Sequence, residues 1–207
     1  MRAGRHTRGA ASVVVVGVDN KGMGLIRECL GTEAVLPDNP LVIAEARAAQ
    51  EGDIDRAWEA VQKAKHPRIH VFLSASDVHL VYQLKKSREE VLEASRDMVA
   101  RAKKYTEDIE FSPMDASRTE PEYIHQILKV AIDAGATTVN IPDTVGYAVP
   151  QQFGEFIRRL REKVPNSDKA VWSVHCHNDL GMAVANSLAA VVTGGARQIE
   201  CTINGLG

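Results

Sequence analysis

Strand-like and helix-like stretches alternate along this chain with a period of about 30 residues, the length of one β/α unit, and that rhythm restricts the fold more than any other feature. Apolar runs fall at Leu41–Ala46, Arg68–Ser74, Asp108–Ser112, Thr137–Pro142, Ala170–His175 and Arg197–Ile203. Between them apolar residues recur at helical spacing. Ile54, Ala57, Trp58 and Val61 share one face behind a capping Asp53. Ser87-Arg88-Glu89-Glu90 is a capping box opening a helix with Val91, Ala94, Met98 and Ala102 on one side. Thr119-Glu120-Pro121-Glu122 opens the next, with Ile124, Ile127, Leu128 and Ala131 on its face and Gly135 as its stop. Phe153, Phe156, Ile157 and Leu160 follow Pro150, and a last helix runs from Leu180 to Val192 before Gly194-Gly195.

Repeated βα units form a parallel sheet covered by helices, either an open doubly wound sheet or a closed barrel. No Gly-rich phosphate fingerprint follows a strand, because Gly22-Met23-Gly24 lacks a third glycine at the right offset. The expectation is an α/β chain of the (β/α)8 TIM-barrel type, incomplete, with about six βα units visible over residues 41–207. Residues 1–40, whose one apolar run is Val13–Val16, are left unassigned.

The bulk numbers exclude several function classes. A net charge of −2 and no basic cluster interleaved with aromatics argue against nucleic-acid binding. No stretch approaches the roughly 20 apolar residues that cross a bilayer. Three cysteines without paired spacing, Cys29, Cys176 and Cys201, point to a reducing compartment. Arg2, Arg5 and Arg8 mimic a transit segment, but Val13-Val14-Val15-Val16 makes a poor amphipathic helix, so the expected location is cytoplasmic.

The chemistry concentrates at Val174-His175-Cys176-His177-Asn178-Asp179. The run follows a buried strand, and strand side chains alternate faces, so His175 and His177 point one way and Cys176 the other. Two imidazoles spaced i and i+2 can share a divalent cation. The alternative is a hydrogen-bonded pair near a strand end; the metal reading is favoured, with further ligands to come from elsewhere in the chain.

Several stretches together resemble the 2-isopropylmalate synthase family of metal-dependent acyl-CoA condensing barrels. They are Gly52-Asp53-Ile54-Asp55-Arg56-Ala57-Trp58, Arg68-Ile69-His70, Glu110-Phe111-Ser112-Pro113, Gly135 to Tyr147, His175 to Gly181, and Ile199 to Gly207. The resemblance implies condensation of acetyl-CoA with a 2-oxo acid, 2-oxoisovalerate, to 2-isopropylmalate in leucine biosynthesis. It implies a divalent metal, Mn²⁺ or Mg²⁺, that polarises the ketone, and a homodimer. His175 and His177 match metal ligands, and His70, Ser112 and Thr144 match substrate-binding positions. Without the family, His70 reads equally as a satisfied core histidine and Thr144 as a helix cap.

The chain also departs from the family. The Arg-Asp pair of the family's first strand has no match in residues 1–40, where Val18-Asp19-Asn20-Lys21 is the nearest acidic run. The family continues past Asn204-Gly205-Leu206-Gly207 with an Asn-bearing loop and a leucine-sensing domain. The expectation is therefore a chain incomplete at both ends that binds metal weakly, Zn²⁺ or Ni²⁺ before Mn²⁺. Many members carry Glu where this chain has Met114, and a thioether cannot carry a proton, so an acid/base role there would pass to Asp115. The neighbouring readings are a citramalate or homocitrate synthase, a 3-hydroxyacyl-CoA lyase on the same barrel, and a catalytically inactive fragment.

Overall fold

The computed structural model describes residues 14–17, 41–47 and 51–201. Seven parallel strands are present among them: β1 (Val14–Gly17), β2 (Leu41–Arg47), β3 (His66–Ser74), β4 (Ile109–Met114), β5 (Thr138–Asp143), β6 (Val171–Cys176) and β7 (Gln198–Glu200). They pair in sequence order, β1-β2-β3-β4-β5-β6-β7, without a reversal. That order is the one a barrel needs and lacks the switch point of a doubly wound sheet. Each of the six expected strands is found within two residues of its expected start. The described part of β7 ends at Glu200, and 202–203 of the expected strand lie outside the described residues. The apolar run around Val14, unassigned from sequence, supplies β1 and pairs with β2 from Val14–Val42 to Gly17–Glu45.

The alternation of faces explains why the strands read as mixed apolar and polar. Ile69, Val71, Ile109, Phe111, Val139, Ile141 and Val174 are fully buried and belong to one apolar core with the helices. The residues between them, Arg68, His70, Glu110, Ser112, Asn140, Ser173 and His175, form the other face. The sheet curls around that polar face. Neighbouring strands sit about 4.8 Å apart, so β3 and β7, four steps apart, would be about 19 Å distant in a flat sheet. Instead Arg68 on β3 donates to Gln198 on β7 at 2.9 Å.

The helices cover the outside. They are α1 (Glu51–Val61), α2 (Arg88–Ala102), α3 (Pro121–Ala134), α4 (Pro150–Lys163) and α5 (Ala183–Val192). The capping box is present: Ser87 Oγ accepts from Glu90 N at 3.2 Å, and Glu90 Oε2 accepts from Ser87 N at 2.7 Å. The buried line of α2 is Val91, Ser95, Val99 and Ala102, slightly rotated from the expected one, with Ala94 and Met98 half-buried at its edge. Helix α3 ends at Gly135, whose φ of +117° suits glycine. Two starts differ from expectation. Helix α1 begins at Glu51, so Asp53 lies in its first turn rather than capping it. Helix α5 begins at Ala183, because Asn178 Oδ1 accepts from Ala183 N at 3.1 Å and holds the preceding residues as a turn. No helix among the described residues is long and apolar enough to cross a membrane.

Candidate active site

The inward face carries two connected layers of polar side chains. The lower layer is built on the buried Arg68. Its Nε donates to Asp108 Oδ1 at 2.9 Å, and its Nη1 donates to Glu110 Oε2 at 2.9 Å as well as to Gln198. Gln198 Nε2 donates to Glu110 Oε1 at 2.7 Å, so both oxygens of Glu110 are engaged. Burial works against the Arg68 charge, but Glu110 and Asp108 hold the guanidinium protonated. Burial pushes the Glu110 carboxyl above the usual carboxylate range, and the nearby Glu200 adds to that, against His70 and Arg68.

The upper layer is a chain of hydrogen bonds running across β3, β4, β5, β7 and β6. His70 Nε2 lies 2.7 Å from Ser112 Oγ, to which Asn140 Nδ2 donates at 2.9 Å. The second Asn140 hydrogen goes to Glu200 Oε2 at 2.8 Å. The same oxygen lies 3.0 Å from His175 Nδ1, and Glu200 Oε1 lies 3.5 Å from His70 Nδ1. Burial opposes the Glu200 charge, yet the His175 hydrogen bond and the two imidazoles bring its carboxyl below the usual range. Because Asn140 already donates to Ser112, the network is consistent when the Ser112 hydroxyl donates to His70 Nε2 and both histidines carry their proton on Nδ1. Glu200 therefore sets the tautomer of His175 and makes Nε2 its lone-pair nitrogen.

At the strand end His175 and His177 stand with ring centroids 5.1 Å apart, His175 half-buried and His177 exposed. Two imidazoles, one oriented by a carboxylate, form a donor set that fits a divalent cation with open coordination positions. Cys176 between them sits against the apolar core, and burial pushes its thiol up to about 11, which suits packing rather than ligation. A second set that could hold a metal ion is His70, Glu110 and Glu200, whose ligand atoms all lie within 4.8 Å of one another. A cation there would compete with Arg68 and Gln198 for both Glu110 oxygens, so the strand-end pair is the better fit.

The structure brings His70, Ser112 and His175 into one network and sets His177 beside it. Asp115 belongs elsewhere. It is fully buried in the left-handed region at φ +68°, and its carboxylate accepts from Ser76 Oγ at 2.5 Å and from Arg118 Nη2 at 2.7 Å, with His79 Nδ1 at 3.3 Å. Among the described contacts none joins it to the His70–Glu200 network. Its backbone N donates to Thr144 Oγ1 at 2.9 Å, so Thr144 ties the turn after β5 to the turn after β4 and does not cap a helix. Met114 ends β4 half-buried. Arg68, Glu110, Asn140, Gln198 and Glu200 join these layers without any motif in the sequence to mark them. Their signal was present as polar residues at every second position of otherwise apolar strands, in phase with His70, Ser112 and His175.

The HMGL-like family model matches residues 21–207 of the chain. The chain is 61% identical to the 2-isopropylmalate synthase of Syntrophus aciditrophicus over 165 residues, 80% of this chain and 32% of that protein. It is 53% identical to the enzyme of the same name from Thermosynechococcus vestitus over 189 residues, 91% of this chain and 34% of that protein. The chain thus spans about a third of the length of these curated relatives. Among solved structures, hydroxymethylglutaryl-CoA lyase from Pseudomonas aeruginosa superposes with a TM-score of 0.68 at 17% identity, covering 91% of this chain and 60% of that one. The carboxyl transferase domain of Rhizobium etli pyruvate carboxylase gives 0.61 at 17%, covering 87% and 29%. At that identity the superpositions establish the barrel fold alone.

Proposed function

The chain belongs to the HMGL-like family, and from that premise we propose that it is part of a 2-isopropylmalate synthase, an acyltransferase that joins acetyl-CoA to 2-oxoisovalerate. The observation that carries this reading is 53–61% identity to proteins of that name over 80–91% of the chain. The likeness to the hydroxymethylglutaryl-CoA lyase structure, at 17% identity, shows the fold alone. Leucine biosynthesis, a cytoplasmic location and a homodimer follow from the same reading.

His175 and His177 would hold the divalent cation, Mn²⁺ or Mg²⁺. When bound, that cation supplies Lewis-acid polarisation of the 2-oxo acid's ketone. The chain's own residues do the rest by orientation and charge. Glu200 holds His175 in the tautomer that presents Nε2, and its lowered carboxyl keeps it anionic at neutral pH. His70, Ser112 and Thr144 are assigned to the oxo acid: the Ser112 hydroxyl, fixed between His70 and Asn140, has little freedom to reorient when substrate arrives. Asp115, with its oxygens taken by Ser76 and Arg118, is assigned to holding the turn after β4, and no proton transfer is routed through it.

The test is CoA release from acetyl-CoA in the presence of Mn²⁺, with product identified by mass. Release that depends on 2-oxoisovalerate and yields 2-isopropylmalate is expected. Release only with pyruvate or 2-oxoglutarate would make the protein a citramalate or homocitrate synthase. No release with any oxo acid from a folded, metal-binding chain would favour the inactive reading.

A further inference from the structure

His177 lies one residue past Cys176, where β6 ends, and the bond from its amide to the Asp143 carbonyl closes the β5–β6 edge. The turn after β5 is the element in contact with it. Asp143 is fully buried at the end of β5, and its carbonyl accepts from His177 N at 3.2 Å and from Gly146 N at 3.2 Å. Its carboxylate is anchored in turn: Oδ1 accepts from Ser117 Oγ at 2.8 Å and Oδ2 from Ala148 N at 3.0 Å. Ala148 is tied from the far side, where fully buried Asn186 on α5 donates to its carbonyl at 2.9 Å. The turn is therefore held by α5 and by the segment after β4, and it cannot retreat.

Gly146 sits at the point of closest approach. A Cβ there would stand 2.8 Å from Asp179 N and 3.0 Å from the His177 carbonyl carbon, besides meeting the Asp179 carboxylate. The first two are backbone atoms, which a rotamer change cannot move aside. Gly181, four residues past His177, offers an internal contrast. Its φ of +73° is close to the +62° of Gly146, but a Cβ there meets nothing within 4 Å.

We propose that the Asp143–Gly146 turn is a clamp that positions His177: the Asp143 carbonyl holds its amide, and the missing side chain of Gly146 lets the His177–Asp179 backbone lie directly against the turn. The clamp's consequence for metal affinity rests on the reading of His177 as a ligand; the clamp itself does not. Asp143, Gly146 and Ser117 are positioning residues, with no contact to metal or substrate required of them.

The experiment compares the 207-residue chain with Gly146→Ala, Gly181→Ala and Ser117→Ala, using two readouts. The first is Co²⁺ affinity from the visible absorption of the bound ion. The second is hydrogen exchange of the His177 amide without metal. Residues that orient a ligand from behind typically cost about 10–100-fold in metal affinity when changed, and Gly146→Ala is expected in that range. Its His177 amide should lose protection. Gly181→Ala carries the same backbone strain without the collision, and should keep Co²⁺ affinity within about twofold with the amide protected. Ser117→Ala, a milder loosening of the Asp143 anchor, should move both readouts in the direction of Gly146→Ala and keeps the test open if that variant does not fold. Equal affinity and equal amide protection in Gly146→Ala and Gly181→Ala would overturn the clamp. A parent chain that takes up no Co²⁺ while Gly146→Ala still exposes the His177 amide would overturn the metal reading and support the clamp.

Discussion

At the level of Arg68, Glu110 and Gln198 the inward side chains are buried or half-buried and hydrogen-bonded to one another, whereas further along the same strands His175 is half-buried and His177 meets solvent. The two levels share strands, residue types and the period-two pattern, yet they treat charge in opposite ways. Below, Glu110 is pushed up by burial and committed to two donors; above, Glu200 is brought down by imidazoles. Barrels keep stability at the strand N-terminal ends and chemistry at the C-terminal ends, and under the proposed function this chain draws that division within a few residues. The difference teaches that polar residues inside this barrel cannot be read as functional by burial alone.

The comparison breaks most sharply at Arg68. Arg68→Met leaves Glu110 buried without its cation, and loss of one partner of a buried pair costs about 3–5 kcal/mol. Urea unfolding should show that loss, with Mn²⁺ or Zn²⁺ affinity of the remaining folded chain little changed.

Ser112→Ala should cost less, about 1–3 kcal/mol, because it leaves an Asn140 hydrogen and His70 Nε2 without their shared partner. Unlike the lower-layer change it should also weaken binding of 2-oxoisovalerate, measurable by calorimetry on the metal-loaded chain. Equal oxo-acid affinity in both chains would remove Ser112 from the substrate site.

The two levels also differ in pH response. Below the ordinary carboxyl value of 4.5 Glu110 is protonated in both the native and unfolded chain. Above it the unfolded chain releases the proton while the native one keeps it, so Glu110 takes stability away as pH rises through its native pKa. Glu110→Gln should flatten that downward slope in unfolding measured across pH 4–8. A slope identical to the parent's would show that Arg68 keeps Glu110 ionised throughout.

The smallest stability effect belongs to the strand end. His177→Ala changes an exposed side chain and should alter unfolding by no more than about 0.5 kcal/mol. It should nonetheless lower metal affinity by about 100-fold or more, since a lost ligand costs at least what a lost supporting residue does. A stability change as large as that of Ser112→Ala, with metal affinity kept, would place His177 on the structural side of the comparison.

Much of this was legible in the residues. The 30-residue rhythm predicts the parallel order, and the Ser87 capping box, the Pro121 start and the Gly135 stop fall where the helices begin and end. His175 and His177 are brought together as their spacing requires. Strand β1 was harder to see, because four residues are too few to show a period of their own. The surroundings of Asp115 could not be read from its place next to Met114 in the sequence. A left-handed backbone at 115 turns its carboxylate towards Ser76 and Arg118.

The sequence by itself determined the elements, their order and the alternation of faces, since these depend on local backbone geometry and on burying apolar positions every second residue. Only the tertiary structure decided which polar residues meet. The curl of the sheet brings Gln198 to Arg68 across 130 positions and Glu200 to Asn140 across 60, and no local propensity encodes those distances. It likewise decided that Gly146 must lack a side chain, because the backbone of His177–Asp179 occupies the space one would fill.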